Sequence, residues 1–139
     1  MNLTYKDKIS VADYKNLLID CGWKILGDKQ LQKSLDNSMV VISAYDSNLA
    51  VGMARLVGDF STHGLLVDVM VLKEHRHLGV GRTLISMIIN NIKASLDDGE
   101  EFLVELLPAS GKREFYQKCG FKYKPEDMDG MYLWIKNTD

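Results

Sequence analysis

The stretch from Val67 to Ile92, VDVMVLKEHRHLGVGRTLISMIINNI, constrains the fold more than any other part of the chain. It begins as an apolar run, which is typical of a buried strand. It ends with apolar residues three or four positions apart, which is typical of one face of a helix. Two glycines, Gly79 and Gly81, lie between these runs. A second apolar run, Glu100–Leu107, follows the helix. A strand, a long helix and a second strand form a right-handed crossover, so a parallel strand pair is predicted in the middle of a sheet.

Patterns on both sides of this stretch extend the sheet. An antiparallel hairpin precedes it, because two runs rich in β-branched residues flank the turn-forming residues 46–48. The predicted order is β, α, α, β, β, β, α, β, α, β, in a mixed sheet with helices on both faces. Ser10 and Asp28 are the expected helix N-caps, and Gly22 and Gly120 are expected to end their helices. The predicted helices are Ser10–Trp23, Asp28–Ser38, Gly79–Leu96 and Gly111–Phe121, and the predicted strands are Leu3–Tyr5, the two arms of Met39–Phe60, Gly64–Leu72, Glu100–Leu107 and Met131–Lys136.

Composition narrows the class of protein. The 139 residues favour a single domain, 1–139, and the net charge of −2 argues against a general nucleic-acid binder. The two cysteines, Cys21 and Cys119, have no CxxC spacing and no companion histidine cluster, so two free thiols are predicted rather than a disulfide or a metal site. No apolar run reaches the ~18 residues of a membrane span, and the first residues carry no secretion signal. A cytoplasmic location is expected.

The glycine segment has the composition of an anion cradle. A glycine lets a ligand approach the backbone closely, and the first turn of a helix carries unpaired N–H groups and partial positive charge. Phosphate is the usual guest of such a site, and Arg76, Arg82 and Thr83 would add charge and a hydroxyl donor. The segment matches neither the Walker loop nor the dinucleotide fingerprint. Taken alone, R-x-x-G-x-G is equally compatible with a tight strand-to-helix turn whose arginines are solvated.

Two motifs in order resemble the GNAT superfamily of acetyl-CoA-dependent N-acetyltransferases. R-x-x-G-x-G, from Arg76 to Gly81, resembles the family's pyrophosphate loop, and EFYQKCGF, from Glu114 to Phe121, resembles its F-Y-x-K-x-G-F ending. The resemblance implies a GNAT-like acyl-CoA N-acyltransferase fold, with a mostly antiparallel sheet and a central parallel crossover. The sequence departs from the family pattern in two places. Lys73 stands where the family often has proline, and the stretch LLPASG lacks the asparagine that the family often has near the end of the fifth strand. The implied residues for binding acetyl-CoA are Val69, Val71, Arg76, His77, Leu78, Gly79, Val80, Gly81, Arg82 and Thr83.

The resemblance also implies the chemistry. An amine would attack the thioester directly, through a tetrahedral intermediate and without an acyl-enzyme, and a backbone N–H close to Val71 would stabilise the oxyanion. Tyr116 matches the family's acid that protonates the departing thiolate. Asp68 and Glu105 are candidate bases, because each is an acid within an apolar run. Each is also compatible with a salt-bridged strand carboxylate, and a water chain is a third possibility.

The three histidines of the chain are also candidates for roles in catalysis and cofactor binding. His63 and His75 are weaker candidates for the base. His75 and His77 are expected to flank the phosphates as solvated residues.

The acceptor side is less defined by the sequence. The resemblance places Trp23, Arg55 and a loop with Glu126, Asp127 and Asp129 beside the acceptor, where acids would suit a cationic amine. The compact chain favours a small-molecule amine over a protein lysine or N-terminus. A non-catalytic acyl-CoA-binding module is the rival class, and a homodimer is possible. The negative charge argues against nucleic acid, and no metal is expected.

Overall fold

The computed structural model describes residues 1–123 and 129–138, and it contains a seven-stranded sheet in the order β1-β2-β3-β4-β5-β7-β6. Every pairing is antiparallel except that of β4 with β5. The predicted mostly antiparallel sheet with one central parallel pair is therefore confirmed. The strands are β1 (Leu3–Lys6), β2 (Val40–Asp46), β3 (Leu49–Gly58), β4 (His63–Val71), β5 (Glu101–Leu106), β6 (Lys122–Tyr123) and β7 (Met131–Lys136).

The helices begin and end close to the predicted positions. Ser10 Oγ accepts the Asp13 N–H at the start of the first helix, and Gly22 ends that helix in the left-handed conformation, φ 70°. Gly120, φ 99°, is left-handed as expected. The second helix has Gly27 rather than Asp28 at its N-cap. The helices are α1 (Val11–Cys21), α2 (Asp28–Asp36), α3 (Val80–Ser95) and α4 (Arg113–Lys118).

Apolar residues are buried on both faces of the sheet, so the predicted helices on both faces are confirmed. On one face, α3 buries Leu84, Ile85 and Ile88 against strand residues such as Val104. On the other face, α1 and α2 pack through a smaller cluster that includes Leu17. We call these the α3 face and the α1 face.

The parallel pairing of β4 and β5 is short. It runs from His63↔Leu103 to Leu65↔Glu105, and β4 then continues to Val71 beside β3 alone in the described register. The two strands therefore part after Leu65 and Glu105. We call the opening between them the fork.

Three local features were not predicted. A 3-10 turn, Lys73–His75, follows β4, and the two-residue strand β6 precedes the last strand. β4 also contains a bulge, at which Asp68 has φ 52°. In an unbroken strand Asp68 and Val67 would lie on opposite faces, but the bulge interrupts this alternation. The pairs on the two sides of the bulge are Arg55↔Val67 and Met53↔Met70, which leaves Asp68 and Val69 opposite Ala54.

Candidate functional site

The loop before α3 leaves backbone N–H groups open at the start of that helix. Gly79 is the N-cap, with φ 83° and ψ 4°, and no side chain of the described residues caps the helix. The first intrahelical bond runs from Thr83 N–H to Gly79 O, 3.0 Å, so the N–H groups of residues 80–82 have no helical acceptor. An added Cβ on Gly79 would meet no atom of residues 1–123 or 129–138 within 4 Å. The loop therefore has the open, backbone-lined geometry of an anion site.

Gly81 lacks a side chain for a different reason. An added Cβ there would lie 3.2 Å from Phe115 Cζ and 3.7 Å from Val71 Cγ2. The first turn of α3 is thus packed between the end of β4 and α4. Gly79 matches the expected open backbone, whereas Gly81 permits close packing that places the helix N-terminus beside the fork.

Side chains around the loop lie in three environments. Arg76 Nε donates to Val71 O, 3.2 Å, and links the loop to the end of β4. His77, with φ 64°, Leu78 and Arg82 are exposed. Val80 is buried, and Thr83 is partly buried.

His75 does not face the loop as a solvated residue. Its Nε2 lies 3.2 Å from Asp46 Oδ2, and only 13% of its side chain is exposed. The expectation that His75 flanks the phosphates is therefore wrong, because the 3-10 turn directs it toward the β2–β3 hairpin.

The strand beside the fork has an apolar face. Val69 and Val71 are partly buried, and both pack against the α3-face cluster. Beyond the last pair, Leu65↔Glu105, β5 no longer covers this edge of β4 in the described register. Backbone groups on such an edge are available to a ligand.

Tyr116 is buried in the α3-face cluster. It is 8% exposed and makes edge contacts with the rings of Phe115, 5.1 Å, and Phe121, 6.0 Å. Burial, with a smaller contribution from Cys119, raises the pKa of Tyr116 to about 12. The phenol is therefore protonated at neutral pH, as a general acid must be, and it also packs the core.

Glu105 lies at the vertex of the fork. Phe102, Val104 and Leu106 face α3, so the alternate residue Glu105 points toward the α1 face. There its Oε1 makes a short contact with His63 Nε2. The carboxylate is 19% exposed and the imidazole is 51% exposed, so the carboxylate is largely shielded whereas its histidine partner is open to solvent.

Asp68 is engaged on the α1 face. Its Oδ2 lies 2.7 Å from Arg55 Nε and also accepts a short hydrogen bond from the Tyr14 hydroxyl. The alternative interpretation, a salt-bridged strand carboxylate, therefore describes its environment. Arg55 was expected beside the acceptor, but only 14% of its side chain is exposed.

The remaining predicted acceptor residues are scattered. Trp23, 40% exposed, lies between α1 and α2, and Asp129 forms an ion pair with Arg113, 2.7 Å. This pair borders a cleft of about 760 Å³ beside the loop after β5. Glu126 and Asp127 lie outside the described residues.

Sequence reasoning missed an apolar surface on the α1 face. α1 packs on β3 and β4, and Leu65 and Trp134, farther toward β5 and β7, are 42% and 48% exposed. Leu103 pairs with Trp134 and Tyr132 pairs with Glu105, so these residues share the face. Alternation in MYLWIK could have placed Tyr132 and Trp134 on one face. It could not reveal that this face is open.

Residues 1–123 and 129–138 contain neither a metal-binding cluster nor a membrane-spanning helix. No group of three or more His, Cys, Asp or Glu side chains is arranged to hold a metal ion there. No helix in this part of the chain is long and apolar enough to cross a bilayer.

Two curated proteins are similar to this chain in sequence. An uncharacterized N-acetyltransferase, ycf52-like, of Prochlorococcus marinus is 26% identical over 122 residues, with 85% of this chain and 66% of that protein covered. GCN5-related N-acetyltransferase 2, chloroplastic, of Arabidopsis thaliana is 27% identical, with 93% of this chain and 56% of that protein covered. The chain thus spans between 56% and 66% of the length of these two relatives.

A solved structure and a family model point to the same class of protein as these two relatives. A crystal structure from methicillin-resistant Staphylococcus aureus, described as a protein of unknown function and probable acetyltransferase, superposes with a TM-score of 0.78. It is 26% identical, with 94% of this chain and 98% of that chain covered. The family model described as acetyltransferase (GNAT) domain matches residues 36–123. With the cradle, the fork and this match in agreement, the chain belongs to the GNAT family of acetyltransferases.

Proposed function

We propose that the chain transfers the acetyl group of acetyl-CoA directly to a primary amine of a small molecule. The fork carries this proposal, because β4 and β5 part after Leu65 and Glu105, beside the first turn of α3. A linear thioester arm laid along the open edge of β4 would bring its acetyl group to the opening between the two faces of the sheet. An amine could then approach from the α1 face while the cofactor occupies the α3 face.

The nucleotide end of acetyl-CoA fits the loop before α3. The open N–H groups of residues 80–82 and the left-handed Gly79 suit a diphosphate, and the exposed Arg82 adds charge. The proposed binding set is the one predicted from the sequence, namely Val69, Val71, Arg76, His77, Leu78, Gly79, Val80, Gly81, Arg82 and Thr83.

Transfer needs two proton movements and one stabilised charge. The amine nitrogen bonds to the acetyl carbon and the carbon–sulfur bond breaks, with oxyanion stabilisation by a backbone N–H close to Val71. Tyr116, whose pKa is raised to about 12, keeps its proton until the thiolate departs and then donates it. Neither Cys21 nor Cys119 is required as a nucleophile.

Glu105 is our choice for the group that takes the amine proton. It stands at the vertex of the fork and faces the side from which the amine would approach. Its contact with the half-exposed His63 offers a route by which the proton can reach solvent. Asp68, the other candidate, has one carboxylate oxygen occupied by two donors.

The acceptor would lie on the apolar surface of the α1 face. Leu65, Leu103 and Trp134 offer a platform for the body of a small molecule, and Glu105 lies next to them for its amine. Such a platform favours an amine attached to an apolar or aromatic body over a strongly polar one.

Release of free CoA thiol from acetyl-CoA, measured with a panel of amines, tests this function. We expect turnover with at least one amine on an apolar body, and we expect Glu105→Gln to lower kcat about 100-fold while acetyl-CoA binds as before. The expected product is the acetylated amine in equal amount to free CoA. His63→Gln, which keeps a polar neighbour for Glu105, is expected to lower kcat less than Glu105→Gln.

Acetyl-CoA binding without thiol release for any amine, diamine, amino acid or peptide would favour the acyl-CoA-binding module instead. The transfer as proposed uses no metal ion, no nucleic acid and no membrane, and it is compatible with a monomer or a homodimer. Two free thiols, Cys21 and Cys119, suit a reducing compartment such as the cytoplasm.

A further inference from the structure

The bulge in β4 lies at the point where the strand leaves β5. Asp68 and Val69 together lie opposite Ala54, and the parallel pairing with β5 has ended at Leu65. A bulge re-aims the side chains and peptide groups that follow it. The segment that follows is Val69–Val71, which lines the fork.

The backbone of the bulge has an uncommon conformation. Asp68 has φ 52°, in the left-handed region that a glycine adopts most easily. Aspartate enters this region more readily than most residues with a side chain, but still at an unfavourable free energy. Such a conformation persists only where the surrounding structure holds it.

Side chains from two other elements hold Asp68. The Tyr14 hydroxyl, from α1, and Arg55 Nε, from β3, both donate to Asp68 Oδ2. Arg55 Nη1 also lies 3.2 Å from Ser38 Oγ, and the Arg55 guanidinium lies 6.0 Å from the centre of the Tyr14 ring. The Asp68 and Arg55 side chains are only 17% and 14% exposed, so these contacts are shielded from water.

Tyr14 and Arg55 are both in the protonation state that lets them donate to Asp68 at neutral pH. Burial, together with the hydrogen bond to Asp68, raises the pKa of Tyr14 to about 12. Burial alone lowers the pKa of Arg55, but the contacts with Asp68 and Tyr14 together more than offset this, so the net pKa is raised. Tyr14 thus keeps its proton and Arg55 its charge at neutral pH.

We propose that Asp68 is a positioning residue rather than the base: through Tyr14 and Arg55 it anchors the β4 bulge to α1 and β3, and so fixes the backbone of Val69–Val71 that faces the thioester. We call the three side chains the bulge clamp. The catalytic part of this inference rests on the proposed acetyl transfer, whereas the anchoring of the backbone does not.

A series at position 68 separates anchoring from proton transfer. Both donors use the same oxygen, so Asp68→Asn retains an amide oxygen that can accept from Tyr14 and Arg55, and asparagine also tolerates positive φ. It cannot take up a proton as a carboxylate does. Asp68→Gly removes the anchor and also relieves the backbone strain of the positive φ. Asp68→Ala removes the anchor but keeps that strain.

The clamp predicts graded kcat values at saturating acetyl-CoA and amine. Asp68→Asn should stay within about 5-fold of the wild type, Asp68→Ala should fall about 50-fold, and Asp68→Gly should lie between them. Tyr14→Phe, a mild change that removes one donor, should fall about 5-fold. In Tyr14→Phe combined with Asp68→Ala, kcat should equal that of Asp68→Ala alone, since residues acting as a unit are not additive.

Two kinetic outcomes overturn the proposal. If Asp68→Asn is as impaired as Asp68→Ala, the carboxylate takes a proton and is catalytic. If all variants retain wild-type kcat, the backbone of Val69–Val71 needs no anchor.

Hydrogen–deuterium exchange of the ligand-free proteins gives a readout that does not depend on catalysis. We expect exchange of the Val67–Val71 amides to rise at least 10-fold in Asp68→Ala and in Tyr14→Phe, and little in Asp68→Asn. Unchanged exchange in Asp68→Ala refutes the clamp. An inactive wild type with increased exchange in the variants refutes the proposed acetyl transfer but leaves the anchor standing.

Discussion

The two faces of the sheet at the fork offer different chemical groups to the proposed ligands. On the α3 face the donors are main-chain N–H groups of residues 80–82, which come from one turn of one helix. On the α1 face the groups are side chains from three strands, with His63 on β4, Glu105 on β5 and Trp134 on β7. Backbone recognition depends on conformation, and side-chain recognition depends on identity. The cofactor side should therefore be sensitive to changes of φ, and the acceptor side to changes of residue type.

Tyr116 is an exception to this comparison, because it is a side chain proposed to act on the α3 face, where the other ligand-binding groups are main-chain N–H groups. Its substitution is expected to have the largest effect. Tyr116→Phe removes the proton donor and leaves the ring packing, so we expect kcat to fall about 100-fold and the Kd of acetyl-CoA to change less than 2-fold. Pre-steady-state kinetics and calorimetry separate the two quantities. A near-normal kcat removes Tyr116 from the mechanism, and an equal loss in binding would make it a cofactor ligand.

Gly79 tests the dependence of the cofactor side on conformation. An alanine at φ 83° is strained by about 1–2 kcal/mol, so Gly79→Ala should weaken acetyl-CoA binding about 10-fold as the loop relaxes. Gly99→Ala is the matched control, because Gly99 has φ 79° and equally open surroundings but lies before β5. Both variants should lose similar thermal stability. Equal binding losses in both variants would show that the effect is not local to the loop.

Trp134 tests the dependence of the acceptor side on residue identity. Trp134→Ala should raise the KM for the best amine about 5-fold, because aromatic contact area is lost, and should leave the Kd of acetyl-CoA unchanged. Leu49→Ala, an exposed apolar residue at the β2–β3 turn, is the control and should change neither value. If Trp134→Ala leaves the KM unchanged while Trp23→Ala raises it, the acceptor lies nearer α1 than proposed.

Asp59 lies just before β4, at the end where β4 and β5 are still paired. The smallest effect is expected there. Hydrogen bonds from Thr62, and backbone bonds from Ser61 and His63, hold the pKa of Asp59 far below its ordinary value of 3.8. A group whose pKa is depressed on folding stabilises the protein above its unfolded pKa and loses that effect as the pH falls toward the folded pKa. The Tm of Asp59→Asn should therefore decline less than that of the wild type between about pH 4 and pH 2.5. Parallel declines would remove Asp59 from the acid response.

The sequence predicted those parts of the fold that depend on contiguous residues. The strand, turn and helix around Gly79 follow from local periodicity and from one glycine that needs positive φ. The pairing of β4 with β5 followed from the crossover rule. Gly81 was assigned to ligand approach, whereas its contact with Phe115 requires knowledge of where α4 packs.

The parts that failed depend on tertiary contacts. A bulge at Asp68 cannot be read from an alternating pattern, because the residues that hold it, Tyr14 and Arg55, lie on other elements. His75 was misplaced because its partner, Asp46, is 29 residues away. The acceptor surface depends on how far α1 extends across the sheet, which no local pattern specifies.

Calorimetry with CoA and with pantetheine, which lacks the diphosphate and the nucleotide, tests the central claim most directly. If backbone groups at the start of α3 bind the diphosphate, CoA should bind at least 100-fold more tightly than pantetheine. Gly79→Ala should then weaken the binding of CoA and leave that of pantetheine unchanged. Equal affinities for CoA and pantetheine, or an equal loss for both in Gly79→Ala, would contradict the account.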